Sequence, residues 1–145
     1  MQQDTQDTQV RRGAIGPWLQ GFIADHGGIA GTVHVVEGGA LALAAAVNIP
    51  EKVQEITRTV PRGKGMAGLA WERGVPVQTC NLQTDTSGDV RPGARAVSAQ
   101  AAVALPVRDA SANVRAVVGI AFAGERELGR EELARLAERA ATLPA

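Results

Sequence analysis

Residues 60–80 read VPRGKGMAGLAWERGVPVQTC. Gly63, Gly65 and Gly68 spell GxGxxG, the spacing with which a backbone turns tightly and brings a pyrophosphate to a helix N-terminus. The surroundings do not fit that use. A dinucleotide fingerprint follows a hydrophobic strand, but Glu55 to Thr59 is polar and Pro61 removes a ladder donor just before the turn. Only Met66 to Arg73 separates the glycines from the next turn at Gly74, whereas a crossover between parallel strands takes a dozen or more residues. The following strand, Val75 to Cys80, closes on Asn81 rather than on the acidic residue that would bind a ribose. The stretch therefore predicts a glycine turn, a short helix and a strand in an antiparallel setting, with NAD and FAD disfavoured.

Toward the N-terminus, Ile15, Trp18, Leu19, Phe22 and Ile23 recur at helical spacing, and Gly27-Gly28 supplies a stop. Gly31 to Val36 and Leu41 to Val47 flank Glu37-Gly38-Gly39-Ala40 and predict a β-hairpin. Pro50 then opens a short helix, with Val53, Ile56 and Val60 as its i, i+3, i+7 stripe ending at Pro61. Toward the C-terminus, Asn81 to Ser98 is a polar connection rich in Thr, Asp, Gly, Arg and Pro. Its length marks it as a functional lid or a disordered segment. Gln100 to Val107 and Val114 to Ala123 form a second hairpin, and Leu133, Leu136, Ala137 and Ala140 give a final amphipathic helix. The order of elements predicts an α+β domain with a mainly antiparallel sheet.

Composition bounds the partners. The 145 residues fit one domain, with residues 1–12 expected as a disordered polar tail and residues 13–145 as the folded unit. Fifteen basic and fifteen acidic side chains cancel, and the absence of Tyr beside only two Trp and two Phe leaves no base-stacking platform, so nucleic acid is disfavoured. The longest apolar run, Ala40 to Val47, is well short of the ~20 residues that span a bilayer, and the polar N-terminus lacks the pattern of a secretory signal. No membrane association and a cytoplasmic location are expected. Cys80 is the only cysteine, which excludes an intrachain disulfide and a cysteine-rich zinc site.

Over residues 13–143 the sequence resembles a GAF domain. The matching residues are Val60 to Gly68, the helix Leu69 to Arg73 running into Gly74-Val75-Pro76-Val77, Ala104-Leu105-Pro106-Val107, Val117-Val118-Gly119-Ile120, and Glu131-Glu132-Leu133. These segments recur in GAF domains in this order. The resemblance implies a GAF/profilin-like fold with a central antiparallel sheet of five or six strands in the order 2-1-5-4-3. The terminal helices would cover one face, and the short helices and long loop the other, where family members that bind ligands hold them. It also implies a stand-alone sensory or regulatory domain in signal transduction, a homodimer paired through the first and last helices, and a downstream signalling protein as a further partner.

Within that family the free methionine-(R)-sulfoxide reductases use a nucleophilic and a resolving cysteine, one in the glycine segment and one in the long loop. Here the glycine segment carries Ala67 and the loop has no cysteine, so a reductase would depend on Cys80 with an external thiol. The Asn-Lys pair of the cyclic-nucleotide branch is absent, because Asn48 and Lys52 are not adjacent. Haem would need His26 or His34. The sequence thus leads to a non-enzymatic domain that binds an unidentified small molecule, with no cofactor assignable and no metal site. The alternative is a dimerising interaction module with a vestigial pocket.

Candidate ligand contacts are Trp71, one helical turn from Ala67; Cys80, which alternates with Gln78 toward one strand face; His34; and Asp85, Arg91 and Arg95 of the long loop. Each has a plain structural alternative. Trp71 and Cys80 suit ordinary packing, His34 shares a strand face with Thr32 and Val36, and Arg62 and Lys64 beside the helix start serve either an anion or solvent.

Overall fold

Ile15, Leu19, Phe22 and Ile23 are buried along one side of a first helix, α1 (Gln2–Asp25), which ends at the left-handed Gly27 (φ 71°). The computed structural model describes residues 2–84 and 99–144. Helix α1 begins at Gln2, ahead of residue 13 where the sequence predicts the folded unit to start. Strands β1 (Ala30–Glu37) and β2 (Ala40–Val47) form the expected hairpin. Gly38 (φ 60°) and Gly39 (φ 83°) both take the left-handed conformation that a two-residue hairpin turn requires.

Helix α2 (Glu51–Ile56) is shorter than its apolar spacing predicts. Val60 does not continue the stripe of Val53 and Ile56. Thr59–Val60 instead forms a short edge strand, β3, with Val60 opposite Leu41 and Thr59 opposite Ala42 of β2. Two local preferences explain this correction. The residue before a proline is pushed toward extended backbone, and Thr59 and Val60 are β-branched. Next come α3 (Gly65–Arg73), closed by the left-handed Gly74 (φ 69°), and the short β4 (Val77–Thr79). A hairpin of β5 (Ala101–Arg108) and β6 (Val114–Phe122) leads to α4 (Arg130–Ala140).

The sheet has six strands in the order β3-β2-β1-β6-β5-β4, and every pair is antiparallel. Removing the edge strand β3 leaves the implied order 2-1-5-4-3, so the structure adds one strand without changing the topology. The strands flanking α3 lie at opposite edges of the sheet, and no parallel crossover forms around the glycine fingerprint.

The two faces of the sheet are packed unequally. Val33, Val103, Leu105, Val118, Ile120 and Phe122 join Leu19, Phe22 and Leu136 in the main core beneath α1 and α4. Trp18 stacks on Phe22 and donates from Nε1 to the Thr142 hydroxyl at 3.0 Å, while Arg139 pairs with Asp25 at 2.9 Å, tying the two ends of the chain together. The opposite face carries smaller clusters around Val53 and Leu82 and around Leu41, Val60, Ala70 and Val77. Gln78 of β4 clamps the backbone of Leu128, donating to its carbonyl and accepting from its N–H.

Gly68 packs against backbone. A Cβ there would lie 2.5 Å from the Pro61 carbonyl oxygen and 3.2 Å from the Gly63 nitrogen, whereas a Cβ at Gly21 on α1 meets nothing within 4 Å. Gly68→Ala is therefore expected to destabilise the fold by about 1–3 kcal/mol, and Gly21→Ala to stabilise it by about 0.5–1 kcal/mol through helix propensity. Urea denaturation of the two variants measures both effects. Equal effects would remove the role given to Gly68.

Candidate functional site

Strand alternation explains why the second face is hollow. On β5, Ala101, Val103, Leu105 and Val107 point into the main core, which leaves Ala102 and Ala104 for the other side. On β6, Val118, Ile120 and Phe122 point inward and leave Gly119 and Ala121. With Thr32 of β1 these small residues form a floor, and Ile49, Val53 and Ile56 form a wall at α2. Met66 and Ala67 at the start of α3 form the roof. Together with Leu82 they line a half-open cavity of about 170 Å³. Gly119 is small for a reason, since a Cβ there would stand 2.9 Å from the Thr32 hydroxyl.

Among the described residues that line this cavity, His34 is the buried polar side chain, only 3 % exposed. A β-bulge between Val33 and His34 breaks the register with β2 at this point, and such bulges re-aim side chains. The ring Nε2 donates to the Thr57 carbonyl at 2.9 Å, satisfying a carbonyl just past the end of α2. That bond fixes the tautomer: Nε2 carries the proton and Nδ1 keeps a lone pair, buried and without a partner. Burial holds the imidazole below its ordinary pKa, against the smaller opposing effect of the Thr57 bond, so the ring is neutral near pH 7.

At the roof, the N–H groups of Gly65, Met66 and Ala67 open α3, where the first turn has no intrahelical acceptor. Lys64 stands exposed beside them. Next to Leu82, Asn81 donates to the Glu125 carboxylate at 2.8 Å, and Gln83 donates to the Ala99 carbonyl at 3.1 Å. The Gln83 bond joins the two ends of the polar connection, and the Asn81 bond ties it to the segment after β6.

Of the residues singled out in the sequence, His34 lines the cavity. Trp71 is half-buried on α3 in a cluster with Val77 and Val117, with the Arg62 guanidinium 5.3 Å from its ring centroid. Cys80 is exposed. Neither is among the residues lining the cavity. Asp85, Arg91 and Arg95 fall outside the described residues. Among the described residues no cluster of three metal-ligating side chains occurs, and no helix is long and apolar enough to cross a membrane. The sequence reading missed the floor and wall of the cavity. Its signal was the run of small residues at every second position, Ala102 with Ala104 and Gly119 with Ala121, opposite large ones on the same strands.

The lowered pKa of His34 gives a signed pH dependence. Between the folded value and the ordinary 6.5 the unfolded chain binds more protons, so stability falls as pH drops through that window. Its contribution reaches at most about 1.4 kcal/mol per pH unit. His26, lowered mainly by burial and then by Arg139, adds in the same direction. Denaturation at pH 7.5 and 5.5 is expected to show a smaller loss of stability in His34→Gln than in the unsubstituted chain. An undiminished loss would show that His34 does not titrate against folding.

Comparison with known proteins agrees with this architecture. A family model described as GAF domain matches residues 21–143. Among curated proteins, none matches. The fold is similar to that of the type II free methionine-R-sulfoxide reductase from Thermoplasma acidophilum, at 19% identity and TM-score 0.73, covering 93% of this chain and 92% of that one. It is also similar to the free methionine-R-sulfoxide reductase from Neisseria meningitidis, at 15% identity and TM-score 0.74, covering 92% and 75%. A third similar structure is the GAF domain of a phosphoenolpyruvate-protein phosphotransferase from Coxiella burnetii, at 18% identity and TM-score 0.69, covering 97% and 89%. At these identities the structures speak for the fold alone, while the family model spans most of the sequence. The chain belongs to the GAF domain family.

Proposed function

We propose that this protein is a non-enzymatic regulatory or sensory domain that binds a small molecule between its sheet and helices α2 and α3. The GAF fold supports a small-molecule-binding sensory or regulatory role at this coarse level. The observation that carries the finer reading is the cavity of about 170 Å³, floored by residues too small to fill it. A signal would arise from differential contacts in the occupied and empty states. A homodimer through α1 and α4, a cytoplasmic location and a downstream signalling partner complete the proposal. Native mass spectrometry reads the subunit count directly, and a monomer would remove the dimer from it.

The reductases among the similar structures make an enzymatic reading worth testing. Against it stand Ala67 in the cavity roof, where the resemblance to the reductase branch implies a cysteine, and the exposure of Cys80, the sole thiol. A thiol-coupled assay with free methionine sulfoxide is expected to give no turnover above background. Turnover abolished in Cys80→Ser would establish the enzyme instead.

Ligand binding itself is tested by thermal denaturation against a metabolite library. A ligand at a hundredfold excess over its Kd stabilises the fold by about 2.7 kcal/mol, which raises Tm by roughly 5–10 °C for a domain of this size. Ala102→Leu fills the cavity floor and is expected to abolish that rise while leaving the unliganded stability within about 1 kcal/mol. A ligand that stabilises both forms equally would bind elsewhere.

A further inference from the structure

Cross-strand pairing fixes which way Thr32 faces. It stands opposite Gly119 of β6, with Val33 opposite Val118 beside it. Residues directly opposite share a face of the sheet, and Val33 and Val118 belong to the main core, so Thr32 and Gly119 lie on the cavity side. The hydroxyl is placed more closely still. A Cβ on Gly119 would stand 2.9 Å from Thr32 Oγ1 and 4.0 Å from the Thr32 backbone. The oxygen therefore lies over the bare backbone of Gly119, in the floor of the cavity, where an alanine side chain would crowd it.

Its companions in the floor, Ala102, Ala104, Gly119 and Ala121, carry no polar side-chain atom. Among the described residues the Thr32 hydroxyl has no hydrogen-bond partner, although it has a proton to donate and lone pairs to accept with. Such a group, set among apolar neighbours, favours a ligand that bonds to it and disfavours one that covers it without bonding. We infer that Thr32 anchors the occupant: its Oγ1 hydrogen-bonds to an oxygen-bearing group of a compact molecule whose hydrocarbon frame packs against Ile49, Val53 and Ile56. Hydroxyl, carbonyl and carboxylate groups share this chemistry. The assignment rests on the ligand-binding reading above and specifies one contact of it.

The cavity of about 170 Å³ suits a small carbocycle, since an engineered cavity of about 150 Å³ accepts benzene. Cyclopentanol, cyclopentanone and cyclopentane are the probes, titrated into the full chain and into Thr32→Val. Binding is followed by NMR at the methyl groups of Ile49, Val53 and Ile56, which line the site. Valine keeps the branched shape of threonine and removes the hydroxyl. The substitution is expected to weaken cyclopentanol and cyclopentanone about two- to tenfold and to leave cyclopentane no weaker. Thr32→Ser, which keeps the oxygen, is expected to bind the alcohol and the ketone more tightly than Thr32→Val does.

The unliganded chain tests the same hydroxyl independently. With no protein partner to lose, Thr32→Val is expected to leave the urea midpoint unchanged or to raise it. A lowered midpoint or a loss of folding would show that the hydroxyl serves the fold, and would overturn the assignment. Equal weakening of all three probes, or weakening of none, would also overturn it and leave the ligand-binding cavity standing. Failure of all three to shift the methyl resonances would remove the cavity as a binding site, and both readings with it.

Discussion

The close approach of Gly68 to the Pro61 carbonyl and the Gly63 backbone sets the direction of α3, and the rest of the second layer follows from that direction. Strands β3 and β4 are the two edges of the six-stranded sheet, so the segment between them has to cross the whole face. Five inter-strand steps amount to roughly 24 Å, whereas the nine residues of α3 extend about 13 Å. The turn before the helix and Gly74-Val75-Pro76 after it cover the difference. Hydrogen bonds from Gly63 to the Gly68 carbonyl at 2.9 Å and from Gly68 to the Lys64 carbonyl at 3.1 Å lock the turn onto the first part of the helix. What resembles a phosphate cradle in sequence is, in this context, a pivot that lays a short helix across a sheet.

A helix held in this way cannot settle onto the floor beneath it. The main core is filled by large side chains from both hairpins and the terminal helices, but the second face presents Thr32, Ala102, Ala104, Gly119 and Ala121 under α2 and α3. Larger residues at Ala102 or Ala104 would fill this space of about 170 Å³ without disturbing the opposite face. On the proposed reading, their absence keeps it for an occupant.

Much of this fold was legible in the sequence where local chemistry and tertiary packing agree. The α1 stripe, the Gly38-Gly39 turn and the α4 face each follow from spacing, because the residues that bury a helix or close a hairpin are the ones that declare it. Val60 was misread because its i+7 spacing from Val53 competes with the extended backbone imposed by Pro61, and the second effect won. The β3 edge strand followed from that. The candidate site was less legible. Trp71 and Cys80 attract attention as reactive or bulky side chains, yet a cavity is made by what is missing, and alanine and glycine carry no motif. His34 was visible as a candidate, but its unpaired Nδ1 depends on a bulge and on a carbonyl from a helix that is distant in sequence.

That carbonyl gives the cavity a mechanical connection. His34, which lines the cavity, satisfies the backbone just beyond α2 through Nε2. On the proposed reading, an occupant packed against the imidazole holds the ring in the orientation that keeps the Nε2–H bond to Thr57. Thr57 also returns its own hydroxyl to the Val53 carbonyl at 2.8 Å, and Arg58 beside it accepts from Leu43 of β2 at 2.8 Å. Occupancy would thus tighten the corner where α2 passes into β3, at the sheet edge remote from β4.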